Sequence, residues 1–269
     1  MLQLPKEFNS YKPHVTFQID TEVFTIKTAE TKKELTEVFK LRNNTFYKER
    51  KNLPPSDHLK IDPFDIHADQ LIILNKNDQK VVGTYRLIPS SFVPTKHFGN
   101  WDFFDMSHFL NNKMDTIIEM EWACIQKNFR GVKAIHHIWL GLARYFQQTK
   151  SRYMCGQVNI LKSSAEEVAC IYNIFLDKQL LDKENLVFPK KKYAISNFDE
   201  LISKNPANKK SWKKLSRLFL WYLKLGAKIH GYPIYDPDFN SYGFFISLDF
   251  KNMKHTKLIK RYKDAAYLK

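Results

Sequence analysis

The run EMEWACIQKNFRG, Glu119 to Gly131, passes directly into VKAIHHIWLGLARYFQQ, and no other stretch restricts the fold as much. Residues 117–125 read as a strand. Alternation puts Glu119 and Glu121 on one face with Ile117, Ala123 and Ile125, and Ile118, Met120, Trp122 and Cys124 on an apolar opposite face. The strand ends in an Arg130-Gly131 turn. A helix to about Gln148 follows, with Ile135, Ile138, Trp139, Leu142 and Phe146 along one side. A strand, a turn rich in backbone N–H groups and a helix N-terminus make an anion cradle.

Two carboxylates on one strand face lie roughly 7 Å apart. If both are desolvated, one pKa rises, which suits a general base taking a proton from an ammonium near neutral pH. The alternative is a pair of acids on a solvated face, or paired with Arg or Lys. With an anion cradle beside them, the acids point to acyl transfer from a pantetheine-linked donor to an amine.

A chain of 269 residues can bury one substantial core. Hydrophobic content of 43% and aromatic content of 14% indicate a globular protein. Cys124, Cys155 and Cys170 are odd in number and widely spaced, which fits neither a disulfide framework nor a metal knuckle and favours a reducing cytoplasm. The polar start, MLQLPKEFNSYKPH, lacks a signal-peptide core, and no apolar run is long enough to span a bilayer. The expected location is cytoplasmic, with peripheral attachment to the inner face of a membrane as a variant. A net charge of +15 suits an acidic protein, anionic lipid or nucleic acid without choosing among them.

Thr31 and Glu34 form a capping box ahead of Leu35, Val38, Phe39, Arg42 and Phe46 at helical spacing, so Arg42 falls on an apolar stripe. Residues 52–68 are loop-like, with acids Asp57, Asp62 and Asp65. Leu71–Leu74 and Val81–Ile88 read as a hairpin, with Thr84 and Arg86 on one face. Residues 89–115 form an irregular aromatic loop that either lines an acyl-chain tunnel or packs as core or lid. Tyr153–Ile160 is a strand, and Ser163 or Ser164 caps a helix bearing Val168, Ile171, Tyr172 and Phe175. Ser211 opens a helix that Gly226 ends. Alternating strands and helices indicate α/β architecture. The expected division is an N-terminal extension (1–22), one catalytic domain (23–250) and a basic tail (251–269).

These segments resemble the GCN5-related N-acetyltransferase (GNAT) fold, in its branch of acyl-carrier-protein-dependent N-acyltransferases. That branch includes the hemolysin-like ornithine N-acyltransferases and, more distantly, the acyl-homoserine-lactone synthases. The anchors are LRNNTF (41–46), DPFD (62–65), VVGTYRLIPSS (81–91), EMEWACIQKNFRG (119–131), IWLGLARYF (138–146), GAKIHGYPIYDPDF (226–239) and FFISLDF (244–250). The resemblance implies a mixed, mainly antiparallel central sheet flanked by helices. It matches Arg42, Phe46, Asp62, Asp65 and Arg86 to family positions, Glu119 to the acid acting on the attacking amine, and Arg130-Gly131 to the pyrophosphate turn. Departures are Trp122 where many relatives carry Arg, Gly156-Gln157 in place of Gly-Cys, and a turn, Arg130-Gly131-Val132-Lys133-Ala134, that is poor in glycine.

The expected activity is therefore transfer of a fatty acyl chain, 3-hydroxylated or not, from acyl-carrier protein or coenzyme A to the α-amine of ornithine, glycine or another amino acid, for aminolipid synthesis. Glu119 is the expected base and Glu121 its pKa partner or substitute, with Tyr172 either the proton donor to the thiolate or a core aromatic. Ile125, Arg130, Gly131, Lys133 and Ala134 form the donor side. Arg42, Phe46, Asp62, Asp65 and Arg86 either grip the acceptor or fix the long loop. The thioester is a co-substrate, so no tightly bound cofactor and no metal is expected. Lys190–Lys192 could dock the carrier, while Lys209–Leu225 and Lys251–Lys269 could rest on lipid. The rivals are a lactone-signal synthase and a non-enzymatic basic membrane- or RNA-binding module.

Overall fold

The computed structural model describes residues 4–51, 59, 61–93, 98–111 and 117–253. They gather into two compact units: one from 4–93 with 118–151, the other from 98–117 with 152–253. Both are mixed α/β, with strands paired almost entirely antiparallel and helices beside them.

In the first unit β1 (Gln18–Asp20), β2 (Phe24–Thr28), β3 (Asp69–Asn75), β4 (Val81–Pro89) and β5 (Ile117–Ile125, whose first residue counts with the second unit) lie side by side in that order. The β3–β4 hairpin turns through 76–80, and its first strand reaches back to Asp69. Helix α1 (Lys32–Arg42) starts at the expected capping box, Thr31 Oγ1 accepting Glu34 N–H while the Glu34 carboxylate accepts Thr31 N–H. Beyond Arg42 the chain continues in wider, π-type turns over Asn43–Arg50. Helix α2 (Val132–Thr149) packs on the other face of the sheet. A Cβ on its Gly141 would come within 2.5 Å of Leu71 and 2.7 Å of Ile26, so only glycine permits this approach.

Part of the N-terminal stretch read as an extension belongs to this unit. Phe8 is buried edge-on against Phe39, β1 pairs with β2, and the buried Asp69 carboxylate accepts the N–H groups of His14 and Val15. The hydroxyl of Tyr145, on α2, donates to the same carboxylate at 2.7 Å. A carboxylate that has lost its water needs these donors, and the strap supplies two of them.

In the second unit β6 (Tyr153–Leu161), β7 (Ile234–Asp236) and β8 (Ser241–Asp249) run in the order β6-β8-β7. Of the two candidate caps for α3 (Ala165–Asp177), Ser164 is the one used, boxed with Glu167. Helix α4 (Phe198–Lys204) follows. The helix expected from Ser211 to Leu225 is broken: a turn at Lys209–Trp212 is capped by Asn208, and α5 (Arg217–Leu225) begins where Ser216 Oγ accepts Phe219 N–H. Gly226, at φ +103°, ends it as expected. Phe104, Phe109, Ile117, Val187, Ile234 and Phe245 build the core of this unit, with Trp101 and Phe103 packed against it. The 89–115 aromatics Phe98 and Phe104 are thus fully buried core residues. Residues 254–269, most of the basic tail, lie outside the described residues, and no described helix is long and apolar enough to cross a membrane.

Candidate functional site

Arg42 ends α1 with its side chain only 2% exposed, and a guanidinium so deep needs a counter-charge. It finds Asp65, 23 residues on, through two parallel bonds of 2.5 and 3.1 Å. Asp65 also accepts from Asp62 N–H at 2.9 Å, Gln70 Nε2 at 3.2 Å and Arg86 Nη1 at 3.2 Å. Arg86, on β4 and 1% exposed, reaches Asp62 Oδ1 with the same nitrogen and Glu121 Oε2 with the other. The two arginines are thereby paired with Asp62 and Asp65, which fixes the loop before β3.

The alternation expected along 117–125 fails after Glu121. Thr84 lies opposite Cys124 and Arg86 opposite Glu121, so two steps on β4 face three on β5. The extra residue is a β-bulge, and Trp122 takes the left-handed conformation, φ +56°. Its indole turns to the side of the ion network. Nε1 donates 3.2 Å to Asp62 Oδ2, the Arg42 guanidinium stands 4.7 Å over the ring, and Phe46 meets it edge-on at 4.9 Å. Trp122 and Cys124 therefore lie on the side of Glu121 rather than opposite it. Ile125 moves to the opposite face, where a Cβ on Gly83 would meet it at 2.6 Å. Glu119 precedes the bulge, faces Ile88, shares the face of Glu121 and is fully buried.

Burial works against the charge of Asp65, but Arg42 and Arg86 outweigh it and hold the carboxyl below the usual range. Burial also pulls on Arg86, yet Glu121, Asp65 and Asp62 keep its guanidinium firmly protonated. Glu121 goes the other way: burial raises its pKa, Arg86 opposes the rise and the Asp62 charge adds to it.

After β5 the chain makes one tight turn at Lys127–Phe129 and enters α2 through Gly131. A Cβ on Gly131 would meet nothing within 4 Å, and α2, at 18 residues, begins without a capping side chain. Ala134 and Lys133 lie in its first turn; the Lys133 side chain is outside the described residues. Arg130 donates through Nε to the Ile125 carbonyl at 2.8 Å and through Nη2 to Glu49 at 2.6 Å. It braces the turn and is still 42% exposed at the side chain.

Tyr172 belongs to the second unit, in an aromatic cluster with Phe198 and Tyr232 at 5.7 and 5.4 Å. Burial, with help from the Asp199 charge, pushes its hydroxyl up to about 12. That placement fits the core-aromatic alternative. Two members of the network were not among the expected site residues, Gln70 and Trp122. Gln70 could have been noticed as a polar residue ahead of the apolar run Leu71–Leu74. Trp122 showed itself only as a departure from the family pattern.

Residues 41–140 match the profile of the acetyltransferase (GNAT) domain. No curated protein matches the chain. Among solved structures, the chain is similar to BjaI, a CoA-dependent acyl-homoserine lactone synthase solved with SAM and isopentyl-CoA. The likeness spans 87% of this chain and 82% of BjaI, at 13% identity and a TM-score of 0.47. FeeM, an N-acyl amino acid synthase from uncultured soil microbes, is similar over 95% of this chain and 100% of its own, at 9% identity and a TM-score of 0.46. The lactone synthase LasI is similar over 87% and 91%, at 14% identity and a TM-score of 0.47. The profile match runs from Leu41 to Leu140, so this part of the chain, which holds the arginine–carboxylate network, the bulged strand and the turn into α2, is similar to the acetyltransferase (GNAT) domain.

Proposed function

We propose that the chain transfers a fatty acyl group from the phosphopantetheine thioester of acyl-carrier protein or coenzyme A to the amine of an amino acid such as ornithine or glycine, in the synthesis of an aminolipid. The observation that carries this reading is the bulge at Trp122 beside the Glu121 carboxylate, on a strand leading straight into the uncapped N-terminus of α2. A bulge interrupts the ladder and re-aims backbone groups, so N–H groups between Trp122 and Ile125 can polarise a thioester carbonyl. The first-turn N–H groups of α2, reached past the side-chain-free Gly131, suit the phosphate of the pantetheine arm.

In this mechanism Glu119 or Glu121 takes the proton of the acceptor ammonium. Glu121 has the better access, with its side chain 16% exposed, whereas Glu119 is enclosed. The neutral amine attacks the thioester carbon, the C–N bond forms, the C–S bond breaks and the thiolate leaves. A chain of net charge +15 complements an acidic carrier protein and an anionic inner leaflet, and the exposed Lys191 and Lys192 offer one such contact. The test is release of free thiol from octanoyl-acyl-carrier protein and octanoyl-CoA with each amino acid present, and mass spectrometry of the product. An amide product supports the reading. Thiol release that does not depend on amine contradicts it.

A further inference from the structure

Of the groups at this site, the positive ones are enclosed, and only two of the negative ones, Asp62 and Glu121, are partly open. Arg42 and Arg86 are 2% and 1% exposed, and Asp65 is fully buried. Asp62 is 30% exposed and Glu121 16%. Every terminal guanidinium nitrogen that bonds does so to a carboxylate of the protein itself. Removing a guanidinium from a buried carboxylate to serve a ligand would strand that carboxylate, a loss that typically outweighs a single new pair. The terminal nitrogens that could have gripped an acceptor carboxylate are therefore already occupied, and the Nε of each arginine, which has no partner among the described residues, is a single buried donor rather than a fork.

The charges of the cluster are unequal. Two guanidiniums face Asp62, Asp65 and Glu121, and Glu119 lies two residues along the same strand face. The negative excess is relieved by a proton on one carboxyl, consistent with the raised Glu121, or by an incoming cation. A second, independent observation lies on the same face. Thr84 shares it with Arg86, is 1% exposed, and its Oγ1 has no hydrogen-bond partner among the described residues; the same holds for Oε1 of the fully buried Gln70, directly opposite Arg86. Buried polar oxygens without donors call for an N–H or O–H partner. Trp122 adds an aromatic ring beside these groups; it already carries the Arg42 guanidinium at 4.7 Å, so its contribution to a second cation is confined to the rest of the ring.

We infer that the acceptor is recognised through its ammonium group, held by Asp62 and Glu121 with Thr84 Oγ1 and the Trp122 ring, and that its carboxylate, if it has one, is not gripped by Arg42 or Arg86. The acceptor class is therefore cationic primary amines, with or without a carboxylate. This rests on the acyl-transfer reading above. The ammonium gives one proton to Glu121. Attack then forms the C–N bond and breaks the C–S bond, and the second amine proton leaves with the thiol, so the net products are amide, free thiol and one proton.

The experiment compares acceptors that differ only by the carboxylate, ornithine against putrescine and glycine against glycinamide, with octanoyl-CoA and octanoyl-acyl-carrier protein as donors. The expected kcat/KM of each decarboxylated or amidated partner lies within about tenfold of the amino acid. In Thr84→Val, the expected amine KM rises about tenfold with kcat nearly unchanged while Tm does not fall, and the Thr84→Ser variant recovers the affinity. A loss of 100-fold or more on removing the carboxylate, carried in KM, overturns the inference while leaving the acyl-transfer reading intact. An unchanged amine KM in Thr84→Val removes Thr84 from the site and counts against it as well. Failure of every amine to release thiol overturns both.

Discussion

Trp122 holds a left-handed backbone conformation at φ +56°, and its indole Nε1 donates 3.2 Å to Oδ2 of Asp62, sixty residues earlier in the chain. One bond thus links the bulge of β5 to the acidic loop, and a non-glycine residue stays in a conformation that costs of order 1–3 kcal/mol. Trp122→Phe keeps a ring beneath Arg42 and removes only the N–H. The expected loss is about 1 kcal/mol, seen as a Tm a few degrees lower. A Tm equal to that of the parent would mean that the bond does not hold the bulge.

Asp65 is the anchor of the network. In Asp65→Asn the two buried guanidiniums lose their shared counter-charge, and breaking a buried pair typically costs about 3–5 kcal/mol. The pH dependence has a definite sign. The folded-state pKa lies below the ordinary 3.8, so the contribution of Asp65 is complete above that value and is lost as pH falls through the folded one. Acid unfolding followed by circular dichroism should show this component in the parent and not in Asp65→Asn.

Glu121 has the opposite shift, from the ordinary 4.5 upwards. As a carboxyl with a raised folded pKa, it stabilises the fold least once pH has risen through that value, and only then can it act as a base. The acid limb of the kcat/KM profile should therefore lie above 4.5. Glu121→Gln should reduce kcat by about 10²–10⁴-fold, with partial recovery at high pH where the amine loses its own proton. Near-parental turnover at neutral pH would move the role to Glu119, to be tested by Glu119→Gln.

Gly141 lets α2 lie on β2 and β3. In Gly141→Ala the new methyl meets Leu71 and Ile26 closer than 3 Å, and both belong to the buried sheet. Overpacking of this kind costs about 1–3 kcal/mol, which the helix preference for alanine offsets by less than about 1 kcal/mol. Urea unfolding should show a lower midpoint with an unchanged slope. A stabilised variant would mean that the sheet yields easily at this point.

Where structure depends on neighbours in sequence, the sequence was readable. The Thr31–Glu34 box, the β3–β4 hairpin, the run from Gly131 into a long amphipathic helix and the stop at Gly226 all follow from contacts within a few residues. The presence of Arg42 on an apolar stripe announced a buried partner, because an unpaired guanidinium cannot stay there. Which acid would answer was a matter of tertiary structure, since Asp62 and Asp65 lie three residues apart in one loop and only packing sends Arg42 to Asp65. The single helix expected to open at Ser211 is instead a short turn capped by Asn208 and a separate helix capped by Ser216. Above all, alternation in a strand assumes one residue per step. The extra residue at Trp122 exchanges the faces of all that follow, and its cost is borne by an indole bond to a loop sixty residues away, which no local pattern contains.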